Sequence, residues 1–307
     1  MKASDLPVGN YNYYPWTLVK LNDISNSKTE EIPAQVAGLG LEVVWGPAEL
    51  KSPLGPSYSL MYACKNHETN EFTLVIRGTE VDSLIAWFSE DFAIHRTQPF
   101  SLLAPHAPAD ALISQGTYNG MRDLLSLKDP ATGIGVVEFL QNAQPGFIYV
   151  TGHSLGGTLT PPMFAYLNDI FYGSKPINNM AMWSFAGLTP GDAGFNAYLK
   201  SLYNPDFSWR FFNTIDIAPN CWWSLSNIEN IYVPFGLTWG FPEDDVIKEL
   251  FKESESVGYV QPDGGIALEG KFNTGFIDDH IWGAQAVYQH VAPTYVEMVQ
   301  AAFPYTP

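Results

Sequence analysis

The chain has 307 residues, of which 46% are apolar, 14% aromatic and only 15% charged, against roughly 25% charged in an average globular protein. Its 32 acidic and 15 basic residues leave a net charge of −17, and the basic ones form no cluster that could track phosphates, which argues against nucleic acid as a partner. No apolar run approaches the roughly 18 residues of a membrane span, and MKASDLPVGNYNYYPW lacks the apolar stretch of a secretory signal, so a soluble chain with a large core is expected.

In chain order, residues 41–46 (LEVVWG), 57–64 (SYSLMYAC) and 72–77 (FTLVIR) read as strands, the last two joined by the turn-rich KNHETNE, which predicts an antiparallel opening. FIYV (147–150), MAMWSF (180–185) and WRFFN (209–213) are short apolar runs separated by enough chain for crossover helices, and they predict buried parallel strands. Helices are predicted at 154–169, 192–202, 243–254 and 293–303, with Pro293 suited to a first turn. Pro161 and Pro162 are expected to kink the first of these. The aromatic, then acidic, then glycine-rich segment 217–289 reads as an insertion, so that residues 1–307 form one α/β domain. Cys64 and Cys221 make neither a disulfide framework nor a metal motif, and their redox state is left open.

The chemistry starts at Gly152-His153-Ser154-Leu155-Gly156, a G-x-S-x-G pattern between a run of β-formers and a helix-compatible stretch. Alone, the pattern also fits a serine capping a helix. As a nucleophile, Ser154 needs a base to take its proton and an acid to orient the base. In α/β-hydrolases these follow the serine in the order acid, then histidine. Of six histidines only His280 and His290 lie beyond it. His290, read as a loop residue just ahead of the terminal helix, is the better placed, and His280, after Asp278 and Asp279, reads as a helix start and stands as the alternative. Asp216, three positions past WRFFN, is the candidate acid, since Asp169, Asp192 and Asp206 fall in a helix end or turns. Backbone N–H of Leu155 and the backbone and hydroxyl of Thr79, just past the strand 72–77, are the candidate oxyanion donors.

Together IRGT (76–79), ISQGTYNGM (113–121), VTGHSLGG (150–157), SFAGLTPGD (184–192), FFNTIDIAP (211–219) and His290 followed by Tyr295 resemble the class 3 lipases, which include the filamentous-fungal triacylglycerol lipases. The resemblance implies an α/β-hydrolase fold with a mixed, mostly parallel sheet flanked by helices, a Ser154/Asp216/His290 triad, and Thr79 with Leu155 as oxyanion donors. It implies an ester or acylglycerol substrate met at a lipid–water interface, no metal or organic cofactor, and, from the lipid substrate, secretion. The family also has a helical lid after the oxyanion residue. Here that place, about 81–95, holds VDSLIAWFSEDFAI, with Leu84, Phe88 and Phe92 at helical spacing and Trp87 beside them. An acidic residue that supports the oxyanion donor in fungal members corresponds to Asp91, which lies farther along the chain here.

Overall fold

Two helices, α1 (Pro15–Ile24) and α2 (Ile32–Ala37), precede an antiparallel run of β1 (Glu42–Lys51), β2 (Ser57–Asn66) and β3 (Glu71–Ile76). The computed structural model describes residues 15–51, 57–78, 94–206, 208–238, 254–275 and 282–304, with Lys248 and Lys252 in addition. Thr79, Leu84, Trp87, Phe88, Asp91, Phe92 and His280 therefore lie outside the described residues, as does most of the helix predicted at 243–254. After residue 94 a short antiparallel pair, β4 (Thr97–Pro99) and β5 (Leu112–Ser114), stands apart from the main sheet. Helices α3 (Gln115–Ser126) and α4 (Val136–Ala143) then lead into the alternating part. That part runs β6 (Phe147–His153), α5 (Leu155–Tyr172), β7 (Met180–Phe185), α6 (Ala193–Leu202), β8 (Trp209–Asn213), α7 (Leu225–Asn230), β9 (Gly265–Leu268), α8 (Trp282–His290) and α9 (Ala292–Ala302).

Among the described residues the main sheet has seven strands in the order β1-β2-β3-β6-β7-β8-β9, parallel from β3 onward. The two-residue period of each strand sorts its side chains between two cores. Leu74, Ile76, Ile148, Val150, Met180 and Met182 face one core, with Met121 of α3 and Leu159, Met163 and Leu167 of α5. Val75, Phe147, Tyr149, Ala181, Trp183 and Phe211 face the other, with Leu18 and Leu21 of α1 and Tyr295 and Val299 of α9. Helices thus cover both faces, which is why the central strands read as continuous apolar runs.

Three departures from the sequence reading bear on the sheet and the site. Gly265–Leu268, inside segment 217–289, pairs in parallel with β8 and belongs to the sheet. Its four residues alternate exposed and buried and are flanked by glycine, too short a pattern to announce a strand. Helix α5 runs through Pro161 and Pro162 without interruption. Both prolines are buried, and packing on β6 and β7 offsets the two lost backbone bonds. His290 is the last residue of helix α8, not a loop residue. Only Val291, in extended conformation at the N-cap of α9, separates the two helices.

Candidate active site

The parallel strands deliver the candidate residues at their carboxyl ends, where ligands bind in open α/β sheets. β6 ends at His153, and Ser154 follows with φ +60° and ψ −124° before α5 begins. A non-glycine residue in that region carries strain of order 1–3 kcal/mol. The glycines around it leave room for nothing larger than hydrogen. A Cβ on Gly152 would lie 2.2 Å from the carbonyl oxygen of Gly156, and one on Gly156 would lie 2.1 Å from that of Ile76. β3, β6 and α5 are therefore held in backbone contact, and Ser154 stands at the positive end of an 18-residue helix. Leu155 is the first residue of α5, so its N–H has no acceptor within the helix.

Asp216 follows β8 in a turn whose N–H donates to the carbonyl of Asn213 at 3.1 Å. His290 reaches the same point from the end of α8. Ser154 Oγ lies 2.7 Å from His290 Nε2, and His290 Nδ1 lies 2.9 Å from Asp216 Oδ2 and 3.2 Å from Oδ1. An ionised carboxylate only accepts, so Nδ1 carries the proton and Nε2 is left to accept from the serine hydroxyl. Asp216 and His290 are fully buried, and Ser154 is 4% exposed, so these contacts act where water screens them little.

A buried carboxylate needs compensation beyond one imidazole. The Ala218 N–H donates to Asp216 Oδ1 at 3.0 Å and the Tyr295 hydroxyl donates to Oδ2 at 2.8 Å. Burial, and then the charge of Asp216, push the Tyr295 phenol well above its usual pKa, so it remains a donor. His153 packs its ring 5.1 Å from that of His290 and 5.3 Å from that of Tyr295. Burial first, and the neighbouring His290 second, hold His153 well below the usual histidine pKa, which keeps it neutral beside the imidazole. A buried apolar cluster adjoins the site: Leu155 packs against the group formed by Leu188, Ile215, Ile217, Trp222, Tyr232 and Trp282, among others.

Of the residues singled out in the sequence, the structure brings Ser154, Asp216 and His290 together and sets Leu155 at the helix start. Sequence reasoning gave Tyr295 no task and overlooked Asn213 and Gln289, whose only sign was polarity at the end of otherwise apolar runs. Among the described residues no group of three or more metal-binding side chains occurs. No helix among them is long and apolar enough to cross a membrane.

The sequence profile of the family Lipase (class 3) matches residues 73–223, from β3 through Ser154 and Asp216. This part of the chain has the sequence pattern of the class 3 lipases. The chain is accordingly an ester-hydrolysing enzyme with a lipase fold. It is similar to the crystal structure of M37 lipase, with 27% identity, a TM-score of 0.78 and alignment over 92% of this chain and 91% of that one. Similarity of fold extends to the nonglycosylated LIP2 lipase of Yarrowia lipolytica, at 18% identity and TM-score 0.56 over 83% and 77% of the two chains. It extends also to a triacylglycerol lipase from Penicillium expansum, at 13% identity and TM-score 0.52 over 88% and 82%. No curated protein matches the chain.

Proposed function

We propose that this chain is a class 3 lipase and hydrolyses acylglycerols at a lipid–water interface through Ser154, His290 and Asp216. The observation that carries the reading is the unbroken relay from Ser154 Oγ to His290 at 2.7 Å and from His290 to Asp216 at 2.9 Å. It stands at the N-terminus of α5, where the serine is held in a strained turn. His290 Nε2 takes the proton as Ser154 Oγ attacks the ester carbonyl, and Asp216 stabilises the resulting imidazolium. Leu155 N–H and Thr79 donate to the oxyanion that develops. The imidazolium then gives its proton to the departing glycerol oxygen, leaving an acyl-serine. Water, deprotonated by the same imidazole, releases the fatty acid and restores the serine.

Leu155, next to the serine, packs against a buried apolar cluster that includes Leu188, Ile217, Trp222 and Trp282, and this reading places the acyl chain on that side. In this reading residues 1–307 are one domain, the segment around 81–95, with Leu84, Trp87, Phe88 and Phe92, is its lid, and 217–289 is the segment that shapes the acyl side. The test is turnover of emulsified triglyceride and of p-nitrophenyl esters by the wild type and by Ser154→Ala. Activity on both is expected to fall by roughly four orders of magnitude or more in the variant. Unchanged turnover would remove the serine mechanism, and a wild type that favours dissolved short esters with no gain at an oil surface would make it an esterase.

A further inference from the structure

We propose that Asn213 is a positioning residue that ties the turn carrying Asp216 to the helix carrying His290, so that acid and base move as one frame. The inference rests on the roles given above to Ser154, His290 and Asp216. His290 is the last residue of α8, and a helix end is the part most prone to fray, because its final carbonyls have no partner within the helix. Nucleophilic attack tolerates little of that, since a displacement of about 1 Å can cost roughly 100-fold in rate. Something outside the helix has to hold its last turn.

Asn213, the final residue of β8, does so with every polar group it owns. Its side-chain amide donates both to the backbone carbonyl of Gln289, at 2.9 Å, and to the Gln289 side-chain oxygen, at 2.8 Å. Its side-chain oxygen accepts from Ile215 N–H at 3.0 Å, and its backbone carbonyl accepts from Asp216 N–H at 3.1 Å. Its backbone N–H donates to the Tyr295 hydroxyl at 2.9 Å, the same hydroxyl that donates to Asp216. Two acceptors facing the amide nitrogen and an N–H facing the oxygen fix which end of the carboxamide is which.

One buried side chain therefore grips the residue before the base and shapes the turn before the acid. The clamp is itself braced: Gln289 donates to the carbonyl of Lys271 at 2.9 Å, and Gln285, one turn earlier, donates to that of Asn273 at 2.5 Å. Asn213, Gln285 and Gln289 are all buried, so no water stands ready to replace a lost partner.

The test uses the full chain with Asn213→Ala and, as a milder lesion that keeps helix propensity and volume, Gln289→Met. Both are assayed for kcat and KM on a soluble p-nitrophenyl ester, scaled to the folded fraction from near-ultraviolet circular dichroism. The expected result for Asn213→Ala is a kcat lower by roughly 30- to 100-fold with KM within about twofold. Gln289→Met is expected to show a smaller loss of the same kind. In a His290→Ala background, Asn213→Ala is expected to remove no more than about a further twofold, because a residue acting through the imidazole has nothing left to position. An unchanged kcat in Gln289→Met, or an equal loss with and without His290, overturns the proposal, and Gln289→Met decides it alone if Asn213→Ala does not fold. Ser154→Ala, run alongside, separates this failure from that of the functional reading, which is lost only if that variant stays active.

Discussion

At the scale of single residues the site shows how burial assigns roles to ordinary side chains. The Asp216 carboxylate meets an imidazole, a phenol and a backbone N–H. The cysteines show the same force without a charged partner. Burial pushes the Cys64 thiol up to about 12, while burial and the nearby Asp216 push Cys221 well above its usual value. Both are free and buried, and a thiol reacts as its thiolate. A thiol reagent at about pH 8 is therefore expected to leave both unlabelled in the native enzyme and to label both after unfolding in urea. Native labelling of either, followed by mass spectrometry, would contradict this environment.

The same scale shows what single residues disclose and withhold. Ser154 was readable because its glycine neighbours are dictated by backbone contact, and that need leaves a mark in sequence. Asp216 and His290, the acid and base of the proposed mechanism, could be singled out because such residues must follow the serine in order. The clamp around Asn213 and Gln289 was not, since an amide at the end of an apolar run looks the same whether it faces solvent or another amide. His290 was found but set in a loop, because nothing in YQHVAP says that one helix ends on the histidine and another begins two residues later.

At the scale of elements, the strands were the easier part. β3, β6 and β7 are buried on both faces, so their sequences are largely apolar runs bounded by turn formers, while β8 alternates buried and half-buried residues. The helices α3 and α8 were harder because much of each is polar and their apolar contacts are few. One element is held by a carboxylate. Asp129, in the loop between α3 and α4, accepts from the N–H groups of Gly46 at 2.7 Å, Ala131 at 3.1 Å and Thr132 at 2.7 Å, and from the Thr132 hydroxyl at 2.8 Å, joining that loop to β1.

Burial raises the pKa of Asp129, but these bonds together outweigh burial and leave it below the ordinary 3.8. A carboxyl lowered by folding stabilises the fold above its unfolded pKa, and that contribution disappears as the pH falls through the lower, folded value. The urea midpoint of the wild type is therefore expected to drop as the pH is taken below about 4. Asn in place of Asp129 is expected to be less stable at neutral pH and to show a shallower decline across that acid window. Parallel curves for the two proteins would remove the carboxylate from the account.

At the scale of the whole molecule the dominant property is the charge of −17. An enzyme proposed to work at a lipid surface has to reach it through apolar area, because an anionic surface repels it over a Debye length of about 30 Å at 0.01 M salt and about 8 Å at 0.15 M. Adsorption to vesicles of anionic lipid is expected to be weaker than to zwitterionic ones at low salt, with the gap closing as salt rises. Sedimentation of the enzyme with the two kinds of vesicle measures it, and equal binding at low salt would show that net charge does not govern the approach.

The seating of His290 and Tyr295 at the junction of α8 and α9 also has a consequence in time. A chain leaves the ribosome from its N-terminus, so β6, α5 and β8 emerge with Ser154 and Asp216 well before α8 and α9, of which α9 packs into the second core. A nascent chain at that stage holds a serine with no base to take its proton and a carboxylate with neither imidazole nor phenol beside it. In the functional reading proposed above, the relay is complete only once that junction docks.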